Sequence, residues 1–308
     1  TLMKKKNESS EQLNIQLFLL CMLAALLCRR LGKISSLRII CGMLRTMIYV
    51  GVYIGWGISI YKRVIQKSVR NVLIFIAELI IFWFVVRTTK YFFTMDNQIA
   101  RYLWYSYYIP MLFIPVAVLQ AAFFLGKSEE YRLPKWLKGV YIPTAALVLL
   151  VLSNDLHQLV FSFPVGSAWS DSHYTYGWGY YVVLVWEVVC ALTAFVLMIY
   201  KCRHSQKKKY LPLLGIGAAV LYAVLFISGV AWVQEIGGDI TAVLCLFFVG
   251  ILESCVRCGL IQTNTGYDQL FEVCTLGAQI TDQNYNVCYA SANAMPLSKK
   301  TMKGEIGR

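Results

Sequence analysis

Residues 154–181 read NDLHQLVFSFPVGSAWSDSHYTYGWGYY, a polar, acidic, aromatic and turn-rich stretch between two apolar runs, 140–152 and 178–200. It holds His157 and His173, two of the three histidines in the chain. A structured polar loop flanked by membrane-length apolar segments is a place where such a protein can meet a ligand from one side of the bilayer.

Working outward from this loop, apolar runs cover residues 13–28, 39–61, 72–86, 99–125, 140–152, 178–200, 211–232 and 240–256. A spanning helix needs about 20 residues, with a lower limit near 17. Runs 72–86 and 140–152 reach that length only with their polar flanks. The chain of 308 residues is 58% hydrophobic and 15% charged, with mean hydropathy +0.58. A soluble domain would carry about a quarter charged residues. These features predict an all-α polytopic membrane protein built on a seven-helix transmembrane bundle. Run 13–28 is the weakest, and an extra N-terminal helix is the alternative.

The net charge of +13 does not point to nucleic acid. The basic residues fall in short clusters between apolar runs rather than on one soluble face. In membrane proteins such clusters mark cytoplasmic loops. Lys201, Arg203, Lys207, Lys208 and Lys209, with no acid among them, put loop 201–209 inside. Counting outward, 154–178 and 234–239 lie outside, and 61–70 and 127–138 lie inside. The core then starts outside and ends in the cytoplasm. Arg29, Arg30 and Lys33 break the pattern if run 13–28 spans. Two readings repair it. In one, Lys4 to Lys6 and residues 17–27 form a signal-like segment. In the other, residues 1–42 are an upstream extension before Met43, in keeping with Thr1 in place of an initiator Met.

The ten cysteines are scattered. None lies in the 154–181 loop, so no extracellular disulfide scaffold is expected. Cys255 and Cys258 form a lone CxxC, and a zinc ribbon needs a second pair.

The residues that bear on a ligand lie in and below the loop. His157, Asp171 and His173, with Trp169, Tyr174 and Tyr176, can wall an external pocket of aromatic faces and few polar groups. Asn154 and Asp155, just past a helix end, can equally turn the chain and bond its backbone. A metal site needs three or four close ligands, and two histidines far apart in sequence do not supply them. Arg45, Glu78 and Glu187 fall inside spanning segments, where charge is costly and usually faces the bundle interior. Glu187 lies roughly 13 Å along its helix from Trp178, at about 1.5 Å per residue. It can bond a ligand or pair with Arg45. The cluster Tyr102, Trp104, Tyr105, Tyr107 and Tyr108 reads as an interfacial aromatic belt. No P-loop or Gly-rich nucleotide box follows the last run, and no lysine for a retinal Schiff base lies in 211–258. No cofactor and no catalytic residue are assigned.

Taken together these segments resemble the histidine-kinase N-terminal seven-transmembrane receptor region of bacterial sensors. The resemblance rests on RYLWY at 101–105 leading to IPMLFIP at 109–115, on LSNDLHQLVF at 152–161, and on YGWGY at 176–180. It covers roughly residues 43–260. Beyond a linker at 261–270, the tail 271–308 resembles the start of a truncated cytoplasmic PAS-like α+β domain. There AQITD at 278–282 and VCYA at 287–290 alternate as two short strands around a turn at Gln283-Asn284. The resemblance implies a sensory input module that detects an extracellular or membrane signal and relays it through the last helix to a PAS or output domain. It also implies a sensor histidine kinase as the full-length protein, and as partners the lipid bilayer, a small-molecule ligand, a homodimer, and a downstream signalling domain or response regulator. The rival expectation is a small-solute transporter or channel, with Glu78 and Glu187 on the path.

Overall fold

The computed structural model describes residues 2–92, 97–125, 127, 131–164, 173–201, 210–237, 240–258 and 261, and in the tail 277, 279–281, 287–290 and 294. Each apolar run folds as helix. The elements are α1 Leu2–Leu31, α2 Arg38–Arg63, α3 Lys67–Phe92, α4 Asn97–Tyr105, α5 Tyr108–Phe124, α6 Lys135–Gly139, α7 Tyr141–Leu152, α8 Asn154–His157, β1 Phe161–Ser162, β2 Thr175–Tyr176, α9 Trp178–Lys201, α10 Tyr210–Ile227, α11 Ala231–Gly237, α12 Ile240–Arg257, β3 Gln279–Thr281 and β4 Val287–Ala290.

The protein is an all-α polytopic membrane protein. Among the described residues, five helices are long and apolar enough to cross a membrane: Arg38–Arg63, Lys67–Phe92, Asn97–Phe124, Lys135–Leu152 and Trp178–Lys201. In addition, α10 and α12 have 18 residues each, about 27 Å at 1.5 Å per residue. The most apolar window of Asn97–Phe124 is 61% buried and that of Lys67–Phe92 is 50%, against 22% for the other three. So α3 and α5 form the centre, and α2, α7 and α9 turn broad apolar faces outward. That is the arrangement lipid requires, since a helix satisfies its own backbone. Helix α5 packs on α3, α7 and α9, α2 packs on α1 and α3, and α10 packs on α12.

Run 211–232 does not continue as one helix. Gly229 adopts φ +79°, and the amides of Gly229 and Val230 bond the carbonyls of Phe226 and Leu225 at 3.2 Å each. That is a Schellman cap, which only a residue free to turn left-handed closes without strain. Helix α10 therefore stops at Ile227 and α11 starts afresh at Ala231.

The end of α1 docks on α11. Arg30 Nη1 and Lys33 Nζ bond Glu235 Oε1 at 2.8 and 3.0 Å, and Arg29 Nη2 donates to the Gln234 carbonyl at 2.9 Å. The basic residues that break the charge pattern thus face an acid supplied by the turn between α10 and α12. The hydrogen bond from Lys33, with the charges of Lys33 and Arg30, holds the Glu235 carboxyl below its usual range. In the tail, β3 and β4 pair antiparallel, Gln279 opposite Ala290 and Ile280 opposite Tyr289, as the alternation predicts.

Helix α9 begins close against the turn before β1. A methyl placed on Gly177 would overlap the Leu159 carbonyl oxygen, while the Gly177 amide bonds Val160 O at 2.9 Å. Gly177→Ala is expected to lower stability by about 1–3 kcal/mol, the cost of overpacking. Gly217→Ala, where a methyl meets nothing within 4 Å, should be neutral or stabilising; thermal unfolding in detergent compares the two. Glu235 supports α1 docking only while ionised. The depressed carboxyl means the contribution is full above the ordinary carboxylate range and is lost as pH falls through the folded value. Hydrogen exchange at residues 28–33 should speed up in that acid window, and Glu235→Gln should make it fast at every pH.

Candidate functional site

The site at the end of the bundle that carries the 154–181 loop is organised by Asn154, which is fully buried. Its Nδ2 donates to the Phe161 carbonyl at 2.9 Å and to Tyr105 Oη at 3.2 Å. Its Oδ1 accepts the amides of Val160 and Phe161, both at 3.0 Å. The side chain thus grips both backbone groups of Phe161, as a neighbouring strand would. On its other side, β1 pairs antiparallel with β2, Phe161 opposite Tyr176. Helix α8 is one turn that places Asn154 inward. It ends at Gln158 in the left-handed region, φ 50°.

Tyr105 carries the network across to α4. Its hydroxyl donates to Asp155 Oδ1 at 2.8 Å, and Arg101 Nη2 sits 2.8 Å from Asp155 Oδ2. Arg101 and Tyr105 are one turn apart and share a face of α4. The sequence Arg101, Asp155, Tyr105, Asn154, Phe161 is therefore a continuous polar link between α4, α8 and β1.

Around it the rings close. Phe161 meets Trp104 at 4.6 Å between centroids, Tyr174 at 5.3 Å, Tyr108 at 5.6 Å and Tyr180 at 6.0 Å. Tyr176 stacks on Tyr180 at 4.1 Å. Such offset and edge contacts each add about 0.5–1.5 kcal/mol beyond area. Tyr105 and Tyr108 are buried while Tyr102 is exposed, so an interfacial belt accounts for Tyr102 and not for the other two.

The residues singled out from sequence separate here. Asn154 and Asp155 spend their polar atoms on the protein. His157 Nδ1 accepts the Leu159 amide at 3.0 Å and its Nε2 lies 3.2 Å from Ser153 Oγ, so the ring is tied to its own turn. His173 and Tyr176 are exposed. Trp169 and Asp171 lie outside the described residues. Glu187 faces inward from α9, near Tyr108 and Tyr180, with its Oε1 buried and without a hydrogen-bond partner among the described residues. Arg45 lines a cavity between α1, α2 and α3; the pairing of Glu187 with Arg45 that the sequence allowed is not made. Glu78 lies within α3, partway along the bundle. Among the described residues no three His, Cys, Asp or Glu side chains gather to hold an ion.

At the opposite end, the last helix carries a second link. Arg63 grips Glu253 at 2.8 and 2.7 Å through its two terminal nitrogens, Arg257 Nε adds 3.0 Å, and Trp56 Nε1 reaches it at 3.3 Å. The Arg257 contact follows from the i, i+4 spacing. Arg63 and Trp56 come from α2, and only the fold reveals them.

The family model for the N-terminal 7TM region of histidine kinase matches residues 17–256. The chain belongs to that family. The match to this 7TM region opens inside α1, so it takes in part of the segment that the sequence reading sets apart as 1–42. It closes at Val256, within the last turn of α12. It makes the chain a membrane-embedded input region of histidine-kinase type. Searches of curated proteins and of solved structures return no match.

Asn154→Ala removes four hydrogen bonds and strands the Phe161 backbone groups in a dry site. At about 1 kcal/mol per bond, and more for stranded groups, a loss of roughly 3 kcal/mol or more is expected. Leu156→Ala, two residues on and 89% exposed, should cost less than about 0.5 kcal/mol. Equal unfolding midpoints for the two variants would refute the role given to Asn154.

Proposed function

We propose that this chain is the sensory input module of a bacterial two-component sensor. Its core, residues 43–260, forms seven spans with the 154–181 loop outside and the carboxyl end in the cytoplasm. A small molecule or membrane signal acts at the loop end, where His173 and Tyr176 are exposed and where Trp169 and Asp171, in the same stretch of sequence, contribute to binding. Asn154, Asp155 and His157 lie in the first turn of the loop and Glu187 deeper. The change passes through α12 and the linker 261–270 to a PAS-like domain beginning in 271–308. A homodimer and a response regulator complete the pathway in this reading.

The observation that carries it is the Glu253 cluster. Helix α12 leads into the tail, and its end is held by Arg63 across the bundle through a two-pronged ion pair with both side chains 21% exposed. Charge pairs so shielded are strong when made and costly when half-broken. They favour discrete arrangements of α12 against α2 over a continuous slide. A signal at the loop end biases the choice only through differential affinity for the two arrangements.

In the full-length protein, Arg63→Gln and Glu253→Gln should each shift basal output, read by autophosphorylation in membranes, by about tenfold. That corresponds to about 1.4 kcal/mol, well within what a shielded pair supplies. Arg63→Lys, which keeps charge and loses the fork, should fall between. Unchanged output in both Gln variants at equal protein level would rule out α12 as the relay.

A further inference from the structure

Helix α3 is one of the two most buried spans, yet one line along it is open. Between Arg70 and Arg87 its exposed residues are Asn71, Phe75, Glu78, Phe82 and Val85. The steps alternate between four and three. That is a single seam, the narrow spacing with which one helix packs against another. A face turned to lipid is broader, as on α9, where Val182, Leu184, Val185, Val188 and Val189 are all exposed.

Glu78 stands at the middle of this seam. Arg70 and Arg87 lie roughly 25 Å apart along α3 at about 1.5 Å per residue, and Glu78 is about halfway between them. From there a glutamate side chain is too short to reach either aqueous surface. An acid at bilayer depth is costly and normally faces the bundle interior, a water-filled space or a partner group. Glu78 is instead exposed, and among the described residues it makes no hydrogen bond or ion pair. Asn71, one heptad earlier on the seam, is likewise exposed and without a side-chain hydrogen bond among the described residues.

The chemistry of these two residues decides what covers the seam. An amide is donor and acceptor at once. So is a carboxylic acid in its neutral form, the form least costly in hydrocarbon. Each residue can therefore pair with a copy of itself. Two copies inserted the same way round are related by an axis along the bilayer normal, which sets α3 beside α3 in parallel and brings each seam residue opposite itself. A polar residue on such an apolar seam fixes register and the number of strands. In lipid, hydrogen bonds between helices favour association where apolar contact alone gives little preference.

We propose that this seam of α3 is the face on which a second copy of the chain docks, with Glu78 meeting the partner subunit's Glu78 at the middle of the membrane. The inference rests on the homodimer of the reading above and gives that dimer its face.

The test uses the full chain in liposomes, with subunits counted by single-molecule photobleaching against the protein-to-lipid ratio. The unaltered protein should dimerise. Glu78→Leu should weaken the dimer by about tenfold, and Glu78→Gln, whose amide also pairs with itself, should keep it. Leucine suits lipid, so the thermal midpoint of dilute Glu78→Leu monomer should not fall, which separates lost docking from lost folding. Oxidative cross-linking of Phe82→Cys and Val85→Cys should exceed the background of the unaltered protein several-fold. Val185→Cys on α9, 60% exposed against 51% for Val85, should stay at background. A protein that is monomeric at every density overturns both the seam and the homodimer of the proposed reading. A dimer that cross-links at Val185→Cys and not along α3, or that Glu78→Leu leaves intact, overturns the seam and leaves that homodimer standing. Equal weakening by Glu78→Gln and Glu78→Leu overturns the pairing of Glu78 with its copy.

Discussion

The amide of Asn154 fills every one of its hydrogen-bonding positions inside the protein, and the loop end of the bundle depends on it. A polar group taken out of water costs stability unless each donor and acceptor is matched. Here the matching partners are the backbone of Phe161 and Val160 and the hydroxyl of Tyr105. Holding Phe161 at both N–H and C=O fixes where its ring goes, and that ring is the hub on which Trp104, Tyr108, Tyr174 and Tyr180 converge. One side chain thus ties α4, α8 and the β1–β2 hairpin together, and the start of α9 follows through Gly177 and Gly179, whose amides reach back to Val160 and Leu159.

The two ends of the bundle are held by different physics. Around Phe161 the loop end uses a neutral amide, a phenol and packed rings, with the Arg101 to Asp155 ion pair at their margin. The opposite end uses charge: Glu253 collects Arg63, Arg257 and the Trp56 indole. Between them α2, α3 and α5 pack an apolar centre in which ring pairs such as Tyr53 of α2 with Phe84 of α3 fill the space. An apolar centre offers little directional preference, so the polar links at the ends set the relative placement of the helices.

Much of this was legible in the sequence. Apolar run length fixed the helices, because lipid admits few other solutions. The alternation at 278–282 and 287–290 reads correctly as two strands. The break after Ile227 was missed, because hydropathy alone is blind to the φ of Gly229. The dual nature of Asn154 and Asp155, turn-makers or ligand groups, was visible; which of the two applies depends on Tyr105 and Arg101, some fifty residues away, and nothing local encodes that pairing. The same holds for Arg63 and Glu253, 190 residues apart in sequence.

The central claim is that Asn154 locks the turn leading to β1 into a rigid unit at the loop end. Hydrogen exchange at the amides of Val160 and Phe161 tests it most directly, since each has the Asn154 side chain as its acceptor. The account predicts that both exchange as slowly as amides in the middle of α5, and that Asn154→Asp, which keeps the acceptor, slows them far more than Asn154→Ala does. Exchange at the rate of an exposed loop in the unaltered protein would contradict it.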